Sequence, residues 1–338
     1  MKLATFVPTG AQGSRPGVVL DDTVLDLASL VPWAQERGGL PGLETLGSAP
    51  ASVLELLERG QVYLMALGDL TRQIAGEPTL LRDAQAARAA LALSEVRLKA
   101  PIERPPAMRD FMAFEEHIKT IRTRQGREVH PVWYEIPVFY FCNPATVLGP
   151  DDEVSYPPAS RWWDYELEIS CVIGRGGSNI PADDAADQHI AGFTILNDWS
   201  ARDVQFHEME VNLGPSKGKD FATSLGPWIT TLDELEDRQT GDGRYDLAMT
   251  ARVNGAVYSQ GNLKTIYWTF RQMVSHASRD SYVGCGDVLG SGTVGTGCIL
   301  ELGPKNVGGW LKAGDVVELE IDRLGVLRNR VAAPKGQA

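Results

Sequence analysis

The sequence predicts an α+β protein dominated by β-strands, with a smaller N-terminal part that combines strands and helices. Its 338 residues, 43% hydrophobic and 22% charged, have the composition of a folded globular protein. Helical spacing of apolar residues is concentrated in the first hundred residues, and strand-like segments dominate afterwards. Strands without regularly interposed helices favour a barrel or sandwich over a parallel doubly wound sheet.

The N-terminal region begins with strands and continues with helices. Residues 1–30 alternate like short strands, and Asp21-Asp22 is suited to a hairpin turn between two of them. Residues 51–98 are rich in Ala and Leu and carry apolar positions at helical spacing, so we expect helices throughout this stretch.

A proline-rich segment divides the chain near residue 100. The prolines at positions 101, 105 and 106 prevent regular structure there. We therefore expect an N-terminal domain over residues 1–99 and a larger domain over residues 100–338. Strands are expected in the larger domain at "VFYFCNP", "DYELEISCVIG", "IAGFTILNDWS", "GPWITT", "YDLAMTARVNGAVYSQG", "DVLGSGTVGTG" and "DVVELEIDRLGVLRNRV".

Charge and cysteine content exclude several classes of function. A net charge of −12 argues against nucleic acid or an anionic membrane as the main partner, because phosphate binding needs a basic surface. The N-terminal segment breaks at Pro8 and Gly10 before a signal-peptide core forms, and no apolar run reaches membrane-spanning length. The four cysteines form no CxxC pair and are expected to be free thiols. We expect a cytoplasmic protein.

The segment "RWWDYELEIS" places Asp164, Glu166 and Glu168 at alternate positions. If residues 163–173 form a strand, these carboxylates share one face. An antiparallel strand with one solvated face would also show this pattern, although like charges at such spacing repel each other. A divalent cation such as Mg²⁺, Mn²⁺ or Ca²⁺ would relieve the repulsion, since hard cations prefer carboxylate oxygens.

Two other segments contribute candidate polar groups. In "AGFTILNDWSARDVQ", an apolar strand runs into Asp198, and Arg202 and Gln205 follow at helical spacing. Asp198 as a plain helix cap is the alternative. In "MRDFMAFEEH", Asp110 precedes His117 by seven residues, about two helical turns. A metal ligand and a general base could thus face one cleft, although a lone histidine is more often structural.

Two glycine-rich segments do not indicate a nucleotide site. "GPSKGKDF" lacks the spacing of a phosphate-binding loop, because its first glycine lies only four residues before Gly218. "GSGTVGTG" is not followed by a helix with an acidic ribose partner.

Six motifs together resemble the fumarylacetoacetate hydrolase family. "MRDFMAFEEH", "DYELEIS", "LNDWSARDVQ", "GPSKGKDFATSLGPW", "GSGTVGTG" and "LRNRV" occur in the family's order and spacing over about residues 98–332. The preceding residues resemble the additional β-containing domain of its longer, two-domain bacterial members. The resemblance implies a mixed β-roll or β-barrel catalytic domain and a homodimer.

The resemblance also implies roles for individual residues. It places a Mg²⁺, Ca²⁺ or Mn²⁺ site at Asp110, Glu166, Glu168 and Asp198. The other residues with an implied role are the general base His117, its orienting carboxylate Glu301, the charged groups Lys219 and Arg202, and the substrate-binding residues Gln205, Tyr140 and Thr293. Asp164 is not in the implied ligand set. The segment that contains Arg124 and Arg127 matches the family too poorly for its substrate-binding arginine to be assigned. Both residues are therefore candidates for that role.

The expected substrate is a small anionic 2-oxo or diketo acid. The resemblance implies hydrolysis of a C–C bond in a fumarylacetoacetate-like or acylpyruvate-like acid of aromatic or sugar-acid catabolism. A cation would stabilise the departing enolate, while a histidine takes a proton from the attacking water. Decarboxylation, isomerisation, tautomerisation or hydration by the same enolate chemistry is the alternative. A binding module that is stabilised by a cation and lacks turnover is a third hypothesis.

Overall fold

One large sheet runs through the protein in the computed structural model, which describes residues 1–333. Within these residues, twelve strands form this sheet, five form a second sheet and two form a short ribbon. In chain order the strands are β1 (Lys2–Pro8), β2 (Arg15–Leu20), β3 (Thr23–Asp26), β4 (Ala90–Ala92), β5 (Val96–Lys99), β6 (Met108–Phe111), β7 (Phe139–Phe141), β8 (Val147–Leu148), β9 (Glu153–Ser155), β10 (Trp163–Asp164), β11 (Leu167–Ile173), β12 (Ile190–Asp198), β13 (Ser200–Ala201), β14 (Thr223–Thr231), β15 (Ala248–Val253), β16 (Ala256–Asn262), β17 (Val288–Gly290), β18 (Val316–Ile321) and β19 (Gly325–Ala332).

The α-helices lie mostly in the N-terminal region. Over residues 1–333 they are α1 (Leu27–Arg37), α2 (Leu43–Leu46), α3 (Val53–Glu58), α4 (Gly60–Gly76), α5 (Pro78–Ala86), α6 (Glu115–Arg124), α7 (Arg202–Glu208), α8 (Phe270–Ser278) and α9 (Ile299–Leu302). None of these helices has the length and apolar character that crossing a bilayer requires.

The predicted N-terminal hairpin is confirmed. Strands β2 and β3 pair antiparallel on either side of the two residues Asp21-Asp22, and Asp21 has the positive φ of 46° that such a turn requires. Strand β1 pairs with β2 and also with β14, where Leu3 lies opposite Ile229. Strands from both sides of residue 100 therefore belong to one sheet, and the division into two domains stays a prediction.

The expectation of helices throughout residues 51–98 was wrong at its C-terminal end. Helices α3, α4 and α5 cover the segment as far as Ala86, but strands β4 and β5 follow. Leu91 is buried opposite Val24, and Leu98 pairs with Phe6. Strand pairing with the N-terminal hairpin overrides the helix propensity of this Ala- and Leu-rich sequence.

A helix also begins earlier than the alternating pattern indicated. We expected strand-like structure over residues 1–30, but α1 starts at Leu27. The buried Asp26 caps it, accepting a hydrogen bond from the Ala28 amide at 3.1 Å.

The central strands of the large sheet lie between two hydrophobic cores. Ile169 of β11 and Leu319 of the second sheet belong to one core. Val172 belongs to another core with Leu67 and Leu70 of α4. Side chains that alternate along β11 therefore enter different layers, as the period of a strand requires. The strand-rich α+β architecture is confirmed, and its sheets are open.

Candidate active site

Neighbouring strands of the large sheet bring four carboxylates together. Strands β12, β11, β17 and β6 lie side by side in this order. Asp110 lies on β6, Glu166 precedes β11, Glu168 lies on β11, and Asp198 ends β12. Oxygen atoms from all four residues lie within 4.8 Å of one another, and all four side chains are buried.

A glycine on the strand between them leaves room for this cluster. Gly290 of β17 pairs with Asp110 on one side and with Ser170 on the other. A Cβ atom at position 290 would lie 2.5 Å from Oδ1 of Asp110, which is closer than van der Waals contact allows. The carboxylate of Asp110 therefore occupies the space that a side chain at position 290 would need.

The backbone after β17 orients two of the carboxylates. The Gly292 amide donates hydrogen bonds at 3.1 Å to Oδ1 of Asp110 and at 3.1 Å to Oε2 of Glu168. The Thr293 hydroxyl lies 3.4 Å from Oε1 of Glu168. Gly292 has φ of 75°, and a Cβ there would lie 2.3 Å from the Phe111 carbonyl oxygen, so this turn requires glycine.

Two buried cations contact the other side of the cluster. Lys219 Nζ lies 2.7 Å from Oδ2 of Asp198 and also contacts Oε2 of Glu166. Arg202 Nη2 lies 2.8 Å from Oε1 of Glu166. Arg202 is shared between the cluster and Asp164, whereas the ion pairs of Lys219 are with carboxylates of the cluster.

The carboxylates with little cationic compensation have raised pKa values. Burial and the charge of Asp198 raise the pKa of Asp110 from 3.8 to about 8. Burial and the neighbouring Asp110 raise the pKa of Glu168 well above its ordinary value. Burial also raises the pKa of Asp198, although Lys219 opposes the rise. These groups lose a favourable environment for their charge when they leave water.

Glu166 behaves in the opposite way because both cations face it. Burial alone would raise its pKa, but Lys219 and Arg202 outweigh burial and lower the pKa below 4.5. The pKa of Lys219 is raised, since Asp198 and Glu166 overcome the effect of burial on its ammonium group. Glu166 is thus the carboxylate whose charge the protein itself compensates best.

The cluster fits a hard divalent cation. The cluster has four buried carboxylates but only Lys219 and a share of Arg202 as cationic contacts among the described residues, so negative charge is in excess. Oδ1 of Asp198 is buried and has no hydrogen-bond partner among the described residues. Buried charged oxygens without partners are costly, and carboxylates are the ligands that Mg²⁺, Mn²⁺ and Ca²⁺ prefer.

A histidine and a glutamate form a second polar pair. His117 lies on α6, and its Nδ1 atom lies 2.9 Å from Oε2 of Glu301 on α9. The Thr296 amide donates to Oε1 of Glu301 at 3.2 Å, which orients this carboxylate. The turn after β17 connects this pair to the carboxylate cluster, since Thr293 contacts Glu168 and Thr296 contacts Glu301.

Arg124 connects the two helices that carry this pair. It lies at the end of α6, and its Nη1 atom donates to the Leu300 carbonyl oxygen at 2.6 Å, while its Nη2 atom donates to the carbonyl oxygen of Glu301. Arg124 was a candidate for contact with substrate. Its observed contacts hold α6 against α9, and both Arg124 and Arg127 are exposed, so their contact with substrate stays a prediction.

The residues expected near the substrate lie around the same cluster. The Tyr140 hydroxyl donates to Oδ2 of Asp198, and a cavity of about 140 Å³ is lined by Tyr140, Lys219, Asn143 and Ser216 among others. A larger cavity of about 380 Å³, which includes Arg244, contains none of the four carboxylates. The smaller cavity is the better candidate for a substrate entrance because two of its lining residues, Tyr140 and Lys219, contact Asp198 of the cluster.

Arg202 and Gln205 have mainly internal contacts. Both lie in the first turn of α7, as their helical spacing predicted. Arg202 is 3% exposed, and its Nη1 atom donates to Oε1 of Gln205 at 3.1 Å. Asp198 does not cap this helix, whose cap residue is Ala201. The contacts of Arg202 position other protein groups, and its contact with substrate stays a prediction.

The acidic alternation in the sequence is interrupted. Residues 163–173 were expected to form one strand, but β10 ends at Asp164 and β11 begins only at Leu167. Asp164 lies outside the four-carboxylate cluster, and its side chain binds Arg202 and the first amide of α9. Similarly, Asp110 and His117 do not share a helix, since Asp110 lies on a strand and α6 starts at Glu115.

Sequence reasoning did not identify Asn197 or the two glycines of the cluster as functional. Oδ1 of Asn197 accepts a hydrogen bond from the Glu166 amide at 3.0 Å and so holds the strand break next to the cluster. The adjacent position of Asn197 and Asp198 was a usable signal. The two glycines at positions 290 and 292, separated by one serine, were a second usable signal, since such glycines mark close approach of the backbone.

The chain is similar to several known proteins. Residues 107–332 match the family model described as fumarylacetoacetate (FAA) hydrolase C-terminal. A fumarylacetoacetase of Arabidopsis thaliana is 29% identical over 88% of this chain and 82% of its own length. The human oxaloacetate tautomerase FAHD2A, mitochondrial, is 31% identical over 87% of this chain and 84% of its own length.

A solved structure shares the fold. The maleylpyruvate hydrolase from Sphingobium sp. SYK-6, in complex with manganese(II) ion and pyruvate, superposes with a TM-score of 0.65 over 99% of this chain and 100% of that chain, at 22% identity. The predicted fold class is therefore confirmed. With the family model covering more than half of its residues, the chain belongs to the fumarylacetoacetate hydrolase family of enzymes.

Proposed function

We propose that this chain is a divalent-metal-dependent hydrolase that cleaves a C–C bond in a β-diketo acid of the fumarylacetoacetate or acylpyruvate type. The observation that carries the proposal is that the turn after β17 contacts both polar groups: Thr293 contacts Glu168 of the four-carboxylate cluster, and the Thr296 amide contacts Glu301 of the His117–Glu301 pair. Hydrolysis between two carbonyl groups needs both a base for water and a means to stabilise an enolate.

Asp110, Glu166, Glu168 and Asp198 would hold the cation, which we expect to be Mg²⁺, Mn²⁺ or Ca²⁺. When bound, such a cation supplies Lewis-acid charge that favours departure of the enolate. The manganese ion and pyruvate in the Sphingobium enzyme support both the class of metal and a 2-oxo acid ligand.

His117 would take a proton from water at Nε2. Its Nδ1 atom faces Glu301 at 2.9 Å, so the carboxylate favours the tautomer that carries a proton on Nδ1. Nε2 is then the basic nitrogen. The Glu301 carboxylate contacts the imidazole with one oxygen and accepts from the Thr296 amide with the other, which makes it an orienting group for the imidazole.

Lys219 and Tyr140 would bind the substrate. Both line the smaller cavity, and both contact Asp198. The Lys219 ammonium group can compensate a substrate carboxylate or an oxyanion, and the Tyr140 hydroxyl can donate a hydrogen bond. Gln205 and Thr293 would contact substrate from α7 and from the turn after β17.

Tautomerisation of a 2-oxo acid is the second candidate function. The relative with 31% identity is named an oxaloacetate tautomerase, and that reaction moves a proton without breaking the carbon skeleton. The same Nε2 atom of His117 could carry the proton between carbon and oxygen. The two reactions therefore differ in product and not in the base.

The test is a panel of 2-oxo and 2,4-dioxo acids with Mg²⁺ or Mn²⁺, in which loss of enol absorbance is recorded together with product identity. Cleavage products that disappear in His117→Ala would support hydrolysis, whereas a rearranged but intact skeleton would support tautomerisation. His207→Ala is the matched control, because this histidine is 86% exposed and contacts only Glu210 among charged groups in the described chain. Turnover that survives His117→Ala on every acid would refute the mechanism.

A further inference from the structure

Asp164 is a buried carboxylate that the proposed reaction does not use. It lies at the break between β10 and β11 and is fully buried. Its Oδ1 atom accepts from the Ile299 amide at 2.8 Å and from its neighbour Tyr165 at 3.0 Å. Its Oδ2 atom accepts from Arg202 Nε at 2.8 Å and from the Leu300 amide at 3.1 Å. Both oxygens are therefore saturated by groups from separate parts of the chain.

The contact with Arg202 leads to the carboxylate cluster. The guanidinium group lies between two carboxylates, with Nε on Asp164 and Nη2 at 2.8 Å from Oε1 of Glu166. A planar guanidinium has its nitrogen atoms at fixed positions relative to one another, so fixing Nε also restrains Nη2. Asp164 thereby restrains the position of Glu166.

The contact with α9 leads to the histidine pair. Helix α9 has only four residues, and a helix this short is not stable without contacts from outside. Asp164 binds the amides of its first two residues, and the third residue is Glu301, whose carboxylate faces His117. Asp164 thereby also restrains the position of Glu301.

We propose that Asp164 is a positioning residue that fixes the carboxylate cluster relative to the His117–Glu301 pair. The inference rests on the proposed function, because it assigns these two groups to one reaction. Water activated at His117 must reach a carbonyl group held at the cluster, and a displacement of about 1 Å between reacting groups can cost about a hundredfold in rate. A residue that contacts neither group directly can therefore control the chemical step.

The substitution Asp164→Asn tests this role. Asparagine keeps the size of the side chain, but its amide nitrogen cannot accept a hydrogen bond, so one of the two positions, facing either Ile299 and Tyr165 or Arg202 and Leu300, loses its acceptor. We expect kcat to fall about 10- to 100-fold while KM changes by less than about threefold, since ground-state binding does not need the exact alignment. Amide exchange at Ile299 and Leu300 should accelerate by about tenfold, measured by mass spectrometry.

Asp203→Asn is the matched control. Asp203 neighbours Arg202 on α7 and also accepts hydrogen bonds, from the Ser160 hydroxyl at 2.6 Å and from the Arg161 amide at 2.7 Å. Over residues 1–333, its hydrogen bonds are to Ser160, Arg161 and Val204, and none is to α9. We expect this variant to keep kcat and the exchange rates at Ile299 and Leu300. Equal effects of the two substitutions, or unchanged kcat in folded Asp164→Asn, would overturn the inference.

A measurement on the unaltered protein decides the question if Asp164→Asn does not fold. Mg²⁺ should slow amide exchange at Ile299 and Leu300 more than at Arg161. The reason is that Glu166 contacts Arg202, Arg202 contacts Asp164, and Asp164 binds the first two amides of α9. Equal protection at Arg161 and at Leu300 would overturn the inference. Absence of turnover in the wild-type protein would refute the proposed function, whereas normal turnover in Asp164→Asn would refute only the role of Asp164.

Discussion

Asp110 should make the stability of the metal-free protein depend on pH. Burial and the charge of Asp198 raise its pKa from 3.8 to about 8. A carboxyl group whose pKa is raised on folding binds its proton more tightly in the folded protein. Its contribution to stability is therefore complete below about pH 4 and is lost as the pH rises through about 8.

The size of the effect follows from the two pKa values. The interval from 3.8 to about 8 corresponds to roughly 6 kcal/mol of unfolding free energy, at about 1.4 kcal/mol for each pH unit. Mg²⁺ should remove most of the loss, since the cation takes the place of the proton at the carboxylates.

Urea unfolding with a chelator present, from about pH 5 to about pH 9, measures this loss directly. Asp110→Asn is the matched variant, because asparagine fills the same space and has no carboxyl group to titrate. The wild-type protein should lose several kcal/mol more than the variant over this range, and Mg²⁺ should stabilise only the wild type strongly at high pH. Identical pH dependence of the two proteins would refute the reasoning.

Three further predictions concern single residues of the site. His117→Ala should lower hydrolysis by about 100- to 10,000-fold while calorimetric Mg²⁺ binding is kept, and equal loss in His207→Ala would contradict this. Glu166→Gln should weaken Mg²⁺ binding at least about tenfold, and unchanged calorimetric affinity would remove Glu166 from the ligand set. Gly292→Ala should cost at least about 1–3 kcal/mol in urea unfolding, because its φ is 75° and the added Cβ would meet the Phe111 carbonyl oxygen; wild-type stability would contradict this.

Part of the carboxylate cluster was predictable from the sequence, because two of its members follow strand periodicity. Glu166 and Glu168 keep the two-residue spacing that points side chains to one face, and Asp198 stands where an apolar strand ends. Their meeting with Asp110 could be inferred only through the family resemblance. The pairing of β17 with β6 and β11, which joins these segments, has no signal in the local sequence.

The position of Asp164 outside the cluster was not predictable, because it depends on a local break in the strand. It shares the alternating spacing of the two glutamates, but the backbone leaves strand geometry at residues 165 and 166. The break is held by tertiary contacts, among them the hydrogen bond from the Glu166 amide to Asn197. A one-residue change in strand phase moves a side chain to another environment, so periodicity alone cannot place Asp164.

The N-terminal region shows the same limit for helices. Ala90 and Leu91 belong to a sequence with high helix propensity, yet they complete the sheet beside β3. Propensity is worth only tenths of a kcal/mol for each residue, about 0.7 kcal/mol at most for ordinary residues, and burial in a sheet exceeds it. The hairpin at Asp21-Asp22 was predictable because turn and strand signals agree there.

Hydrolysis in heavy-oxygen water tests the central claim most directly. An acylpyruvate is incubated with the protein and Mg²⁺, and the released acid and pyruvate are analysed by mass spectrometry. We predict that the new carboxylate of the released acid carries the heavy oxygen and that both products are absent with His117→Ala. An intact carbon skeleton after turnover, or cleavage that persists without His117, would contradict hydrolysis by a histidine-activated water beside the carboxylate cluster.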